Sequence, residues 1–302
     1  MHLVCTGVTK RMLLFLKGGP PRCKMSGTQI GRLSSGLISL RKYIPSEFAR
    51  QPRGLDEVPR WKATEYRQFL LYTGIVVMKD NTPSNKHYRH YLKLALAMRF
   101  MLQEDSFLRE SNLDTARQLL REYVSSCKAL YSDIFAVYNI HGLLHLPEDV
   151  EHFGCSLNRI SSFPFENYLK SVKAMVRSAH NPVSQVVTHL STRQIAKKQS
   201  TRKIGFSLKD NCFLLKNGDV AYLTSANNDQ TYLAKVVKRA YLKDFFKNPI
   251  PSSRAGIFTV ENMESVCVLK HIHADLLACK CMSIPRKASF VVMALVHDVL
   301  AS

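Results

Sequence analysis

Long apolar runs and several familiar enzyme motifs are missing from this sequence. The longest apolar run in the first twenty residues, Met12 to Leu16, is far too short to span a bilayer, and nothing later approaches that span. The sequence therefore predicts no transmembrane helix. It also has no glycine-rich phosphate loop, no Gly-x-Ser-x-Gly elbow and no Cys-x-x-Cys pair, so the candidate sites are fewer and weaker.

Acidic side chains are scarce as well. The 302 residues contain 43 Lys and Arg against 23 Asp and Glu, which gives a net charge of +20 and a pI near 9.7. Residues 1–60 hold eleven basic and three acidic side chains, and the first acidic residue is Glu47. The excess continues along the rest of the chain, as expected of a basic surface. We therefore expect a polyanion partner, most often nucleic acid, and this charge alone does not decide whether the protein is an enzyme.

The sequence carries no targeting segment that decides its location. An acid-free start rich in Ser and Leu is typical of a mitochondrial presequence, but the stretch Gly18–Pro21 would interrupt its amphipathic helix. The eight cysteines show no close-set disulfide framework, which favours a reducing compartment, either cytosol or nucleus. We expect a nuclear protein, with a cytoplasmic or mitochondrial location left open.

Helical periodicity up to about residue 195 changes to strand periodicity after it. The sequence predicts helices over Tyr88–Met101, Ser111–Tyr131, Pro164–Ala179 and Pro182–Ile195. It predicts strands over Cys212–Lys216, Asp219–Thr224, Tyr232–Val237, Gly256–Val260, Val266–Ile272, Leu277–Ile284 and Phe290–Val296, with a type I′ turn at Asn217-Gly218. The expected fold is α+β: a mainly helical part over 1–196, a basic linker over 197–205, and a small antiparallel β-rich domain over 206–302, as a barrel or sandwich.

Glu65 is the carboxylate that stands out. On a helix near Trp61, Glu65 falls within an aromatic stripe. Burying a lone carboxylate is costly, so it must be paired, bound to a metal, or left at the edge of a pocket. The structural alternative is a salt bridge to Lys62, Arg60 or Arg67.

Two groups of His and Cys have spacings that metal sites use. His141 and His145 are four residues apart, which on a helix allows shared metal binding, but no third ligand is evident and structural histidines are the alternative. A hairpin could bring together four further residues as a zinc site, namely His271, His273, Cys279 and Cys281. Buried thiols and surface imidazoles are the alternative there.

A basic ridge is expected on the helix that follows Pro164. Lys170, Lys173 and Arg177 fall on one face of this predicted helix, opposite an apolar face that includes Phe165 and Leu169. With the net charge of this chain, the ridge is a candidate for phosphate contacts, with Lys197 and Lys198 in support. A solvated face is the alternative.

Several sequence blocks occur in an order that resembles a known family. They are Met1-His2-Leu3-Val4-Cys5-Thr6-Gly7-Val8, Tyr43–Phe48, Leu55-Asp56-Glu57 followed by Trp61-Lys62-Ala63-Thr64-Glu65-Tyr66-Arg67 and on to Tyr72, Tyr138–His141 with His145-Leu146, Phe163-Pro164-Phe165-Glu166-Asn167-Tyr168 and on to Lys170 with Val176-Arg177, and Pro251-Ser252-Ser253 to Gly256-Ile257. The Trp61–Glu65 block and the Phe163–Tyr168 block are the more specific ones, and the rest support them. Together they resemble the C-terminal half of animal CACTA-type (En/Spm-like) cut-and-paste DNA transposases, over nearly the whole chain. The resemblance implies an RNase H-like core in which three acidic residues hold two Mg²⁺ or Mn²⁺ ions for DNA strand cleavage and transfer.

The resemblance also assigns roles to two residues. Glu65 matches the third catalytic acid, and His2 matches the His of an Asp-x-x-His motif whose Asp, like the first acid, would lie before Met1. We therefore expect a truncated, transposase-derived protein that binds DNA and does not cleave it, with no cofactor and a weak, incomplete metal site at Glu65. A fragment of an active transposase with missing upstream exons is one alternative. A co-opted module that binds a protein partner through the β-rich domain is the other.

Overall fold

The computed structural model describes residues 2–193, 204–227 and 230–296, without the side chains of Pro164, Asn167, Lys170 and Arg193. Its first part is helical: α1 Lys10–Gly18, α2 Gly27–Ser39, α3 Ala63–Gln68, α4 Gly74–Val77, α5 Asn85–Met101, α6 Ser106–Leu130, α7 Tyr138–His141, α8 Leu146–Phe153, α9 Leu157–Ile160, α10 Phe163–Lys173 and α11 Pro182–Arg193. Two π-helical segments occupy His2–Thr9 and Phe69–Thr73. Among the residues described, no helix has both the length and the apolar character needed to cross a bilayer.

Helices α5 and α6 form the centre of the helical part. The predicted helix at Tyr88–Met101 is confirmed as the buried part of α5, which begins three residues earlier. The start predicted for α6 at Ser111 is wrong, because Asp105 caps the helix instead. Its side chain accepts a hydrogen bond from the Leu108 N–H at 2.9 Å, so the helix begins at Ser106.

The second part of the chain is an antiparallel sheet. Its strands are β1 Cys212–Leu215, β2 Val220–Ala226, β3 Thr231–Val237, β4 Lys243–Asp244, β5 Ile257–Glu261, β6 Cys267–His273, β7 Leu277–Arg286 and β8 Ser289–Ala294, with a short helix α12 at Met263–Val266. They hydrogen-bond in the order β4-β5-β8-β7-β1-β2-β3-β6. The predicted hairpin joins β1 to β2, but its type I′ turn is wrong, because Gly218 has a positive φ of 85° and Asn217 does not. The Gly218 N–H instead donates to the Leu215 carbonyl at 2.9 Å, so the glycine closes the turn. The α+β class is thereby confirmed.

The helices and the sheet share one hydrophobic core. Ile257, Met282 and Val291, on strands β5, β7 and β8, belong to the same buried cluster as the residues of α5 and α6. Their neighbours Val260, Cys281 and Val292 face the opposite way, into a second cluster with Cys212, Val220 and Tyr222 of β1 and β2. The sheet is therefore covered by helices on one face of β5-β8-β7 and by its own strands on the other.

Arg99 connects the two parts through a set of main-chain acceptors. This residue of α5 is fully buried, and its guanidinium donates to the carbonyls of Leu71 at 3.1 Å, Ala255 at 2.8 and 3.0 Å, and Ala294 at 2.8 Å. Burial lowers the pKa of Arg99. Ala255 and Ala294 lie in the β-rich part, so a single side chain of the helical part satisfies carbonyls on both sides of the shared core.

Candidate nucleic-acid interface

Glu65 lies in the first turn of α3, next to the aromatic side chains predicted to surround it. The ring centroid of Trp61 is 5.8 Å from that of Phe69, and Glu65 is only 5% exposed. Its Oε2 accepts a hydrogen bond from the Lys62 N–H at 2.8 Å, which satisfies an N-terminal amide of the helix. The carboxylate is therefore buried and used at the start of its own helix.

The charge of Glu65 is paired with Arg53, which precedes the helix. Arg53 Nε and Nη2 donate to Glu65 Oε1 and Oε2 at 2.6 and 2.9 Å, and Nη1 donates to Glu57 at 2.7 Å. The hydrogen bonds that Arg53 donates to Glu65 and then to Glu57 outweigh burial and raise the pKa of Arg53. The pairing predicted with Lys62, Arg60 or Arg67 is thus wrong in its partner, since the fork of Arg53 reaches both oxygens.

The two residues that the family resemblance singled out have different partners. His2 Nε2 lies 3.7 Å from Glu166 Oε1, whereas Glu65 is held by Arg53. Glu166 belongs to the Phe163–Tyr168 block of the resemblance, so the structure brings His2 next to that block. Over the described residues, no three His, Cys, Asp or Glu side chains are placed to hold a metal ion. A metal-binding role for Glu65 stays a prediction.

All three carboxylates in residues 2–60 have a cationic partner. Glu47 is bound by Lys280 at 2.7 Å, Glu57 by Arg53 at 2.7 Å, and Asp56 lies 3.5 Å from Lys17. Over residues 41–62, five exposed cations have no carboxylate partner within the described part of the chain, namely Arg41, Lys42, Arg50, Arg60 and Lys62. We call these five the basic surface.

Hydrogen bonds hold the segments of the basic surface together. Arg41 Nε donates to the Pro52 carbonyl at 2.8 Å, and Gln68 Nε2 donates to the Arg50 carbonyl at 3.2 Å. Arg53, while it binds Glu65, also donates to the Arg60 carbonyl at 2.9 Å. These bonds place the cations of the basic surface on adjoining segments around the ion pair of Arg53 and Glu65. Sequence reasoning missed the surface because it looked for a helical ridge, although the count of eleven basic residues in 1–60 pointed there.

The predicted ridge on α10 is wrong in its geometry. The helix ends at Lys173, and Arg177 lies beyond it, where its main-chain N–H donates to Gln185 Oε1 at 2.8 Å. Lys173 and Arg177 are both exposed. The expected apolar face is exposed too, with Phe165 66% and Leu169 63% accessible. The Lys170 side chain, Lys197 and Lys198 lie outside what the structure describes, so their phosphate contacts stay a prediction.

The His and Cys groups occupy separate places. His141 and His145 are exposed, on α7 and on a 3₁₀ turn, with ring centroids 5.3 Å apart. Strands β1, β2 and β3 stand between β7 and β6, so the predicted hairpin that would join the His271 pair to the Cys279 pair is wrong. On β6, His271 Nδ1 is 3.0 Å from Asn227 Nδ2.

Comparisons with known proteins give matches to parts of the chain. Residues 180–295 match the model of a family described as a domain of unknown function (DUF8592), which contains α11 and the sheet. Over 70 residues, 23% of its length, the chain is 36% identical to the oxidant-induced cell-cycle arrest protein 5 of Candida glabrata, and it covers 11% of that protein. No solved structure matches the chain. These similarities mark regions of sequence and assign no activity.

Proposed function

We propose that this chain is a CACTA transposase-derived protein that binds duplex DNA through its basic surface and does not cleave it. The observation that carries the proposal is the set of five exposed cations of the basic surface, none of which forms an ion pair within the described part of the chain, whereas Glu47, Asp56 and Glu57 are each bound by another cation. Unpaired Lys and Arg side chains on one surface attract phosphates and release condensed counterions from DNA. A net charge of +20 adds long-range attraction.

The contacts of Glu65 disfavour cleavage. Both of its oxygens accept from Arg53, and one of them accepts from the Lys62 N–H as well. A divalent cation would have to displace a guanidinium that fits the carboxylate in two places. It would then lie beside that positive charge, and among the described residues no three His, Cys, Asp or Glu side chains are placed to supply the several ligands that hard cations require.

Binding of a fluorescent duplex, measured by anisotropy over a range of salt concentrations, tests the proposal. The basic-surface variant Arg50→Gln/Arg60→Gln/Lys62→Gln should reduce the slope of log affinity against log salt by roughly 0.9 for each phosphate that it no longer neutralises. These substitutions keep the main-chain bonds of all three residues. The matched control Lys216→Gln/Lys238→Gln/Lys247→Gln removes the same charge from exposed lysines of the β-rich part. It should reduce the slope by less than the basic-surface variant does.

The remaining outcomes separate this surface from the predicted ridge. A Lys173→Gln/Arg177→Gln variant that reduces the slope more than the basic-surface variant moves the interface to the region after α10. Equal reductions in the basic-surface variant and its control indicate a general charge effect and contradict a defined surface. A flat salt dependence of the parent chain, or no binding at low salt, contradicts DNA binding itself.

Incubation with Mn²⁺ and supercoiled plasmid tests the absence of cleavage, and the plasmid should stay intact. Nicking that Glu65→Gln abolishes would overturn this part of the proposal.

A further inference from the structure

A cavity of about 150 Å³ opens beside α3, between the first segment of the chain and helices α8 to α10. Most of its wall is apolar, with contributions from Leu3, Leu70, Met98, Leu102, Ile160 and Phe163. A cavity of this size lined by aliphatic and aromatic side chains is large enough for a benzene ring. Water can form few hydrogen bonds with such a wall, so an apolar group is favoured in this space.

Arg67 puts a positive charge in the wall of this cavity. Its guanidinium donates to Asn158 Oδ1 and lies 4.8 Å from the ring centroid of Phe163. Asn158 is held in place because its Nδ2 donates to the carbonyls of Leu102 at 3.2 Å and Val296 at 3.0 Å. The Arg67 guanidinium has five N–H donors, and in the described part of the chain Asn158 is the one hydrogen-bond acceptor that it meets.

Among the described residues, no carboxylate forms an ion pair with Arg67. Burial lowers the pKa of Arg67, in contrast to Arg53, whose pKa is raised by its carboxylate partner. Cys5 also lines the cavity, but burial raises the pKa of its thiol to about 11, so it is neutral at physiological pH. Asp149, at the rim, is exposed to solvent. A partly buried cation without an ion-pair partner is costly to maintain, and a bound anion would offset that cost.

We propose that this cavity binds a small organic monocarboxylate with an apolar body about the size of a benzene ring. The carboxylate would accept hydrogen bonds from the free N–H groups of Arg67, in the two-point geometry that guanidinium and carboxylate share. The apolar body would lie against Leu70, Met98 and Ile160. This site is separate from the basic surface, so its occupancy does not depend on DNA binding.

Titration of the full chain with benzoate, followed by calorimetry or by ligand-observed NMR, tests the site. Benzamide has nearly the same shape without the charge, and inorganic phosphate has charge without the apolar body. Benzoate should bind about tenfold more tightly than either, since a desolvated ion pair and the apolar contacts each contribute. Arg67→Met should abolish the preference for benzoate over benzamide, and the control Arg121→Met, on the exposed face of α6, should keep it.

A second variant keeps the test decisive where Arg67→Met fails to fold. Ile160→Trp fills the cavity and leaves Arg67 in place, and benzoate binding should be abolished. Equal affinity of the parent chain for benzoate and benzamide contradicts the role of Arg67. Phosphate binding as tight as benzoate binding contradicts the apolar body, and unchanged benzoate affinity in Ile160→Trp places binding outside the cavity. Each of these results overturns the proposal and leaves the DNA titration unaffected.

Discussion

The ammonium group of Lys280 lies 2.7 Å from Glu47 Oε1, although 233 residues separate the two in the sequence. Lys280 is fully buried on β7, and it also donates to Asp210 Oδ1 at 2.7 Å. Asp210 in turn accepts from the Ser46 N–H at 2.9 Å. A segment that follows α2, the approach to β1 and a central strand are thereby tied at one buried point.

Replacement of Lys280 tests the strength of this connection. Lys280→Met leaves Glu47 and Asp210 close together without their cation, and we expect the free energy of unfolding to fall by about 3–5 kcal/mol. The triple variant Lys280→Met/Glu47→Gln/Asp210→Asn removes the whole group of charges and should recover part of that stability. Urea unfolding followed by circular dichroism measures both. A triple variant less stable than the single one would contradict a cost from unpaired charge.

Acid should weaken the same connection through Asp210. Burial raises the pKa of Asp210, but hydrogen bonds from Lys280 and the Ser46 N–H outweigh it and bring the pKa below its ordinary value of 3.8. A carboxyl whose pKa is lowered in the folded state contributes stability above its unfolded pKa and loses it as the pH falls through the folded value. As the pH is lowered below about 4, the urea concentration at the unfolding midpoint should therefore decrease. The decrease should be less steep in Asp210→Asn. Parallel pH profiles of the two chains would contradict this assignment.

The bridge between Arg53 and Glu65 should make the α3 region insensitive to divalent metals. Because Arg53 donates to both oxygens of Glu65, the thermal unfolding midpoint should be the same in millimolar Mn²⁺ as in the presence of a chelator. Arg53→Met leaves Glu65 buried and unpaired, and it should lower the free energy of unfolding by about 3 kcal/mol. Glu65→Gln keeps an acceptor for the guanidinium and should cost less. A midpoint of the parent chain that rises with Mn²⁺ would indicate a metal site at Glu65.

Removal of the Arg99 guanidinium should loosen the β-rich part from the helices. Arg99→Met removes the donors of three buried carbonyls, and at about 1 kcal/mol for each we expect a decrease of about 3 kcal/mol in the free energy of unfolding. The exposed control Arg121→Met should stay within about 0.5 kcal/mol of the parent chain. Hydrogen exchange should also quicken in β8, where Ala294 lies. A variant with unchanged stability and unchanged exchange would contradict this role of Arg99.

Local patterns predicted the strands well because their causes are local. Alternating residues and the Asn217-Gly218 turn placed β1 and β2 within two residues of their observed ends. The partners of Arg53 and Lys280 were not predictable in this way, since Glu65 is twelve residues from Arg53 and Glu47 is 233 from Lys280. The ridge on α10 failed because the helix stops at Lys173, which its periodicity does not reveal.

The order of the strands in the sheet was the other feature that the sequence did not predict. Consecutive strands with a short connection usually pair, which is why a hairpin of β6 and β7 was expected. Strands β1, β2 and β3 take the intervening places, and an order set by such long-range pairing leaves no local signal in the sequence. The DNA contact, the protein partner for the β-rich part and the nuclear location remain predictions.

The shared core has a consequence for the region that matches the domain of unknown function. Cutting the chain at residue 180 would strip the helices from Ile257, Met282 and Val291 and expose their face of the sheet to water. It would also take Glu47 away from Lys280 and Arg99 away from Ala294. In this protein, the region that matches the family model is therefore smaller than the unit that folds, and a fragment that keeps these contacts has to begin before Ser46.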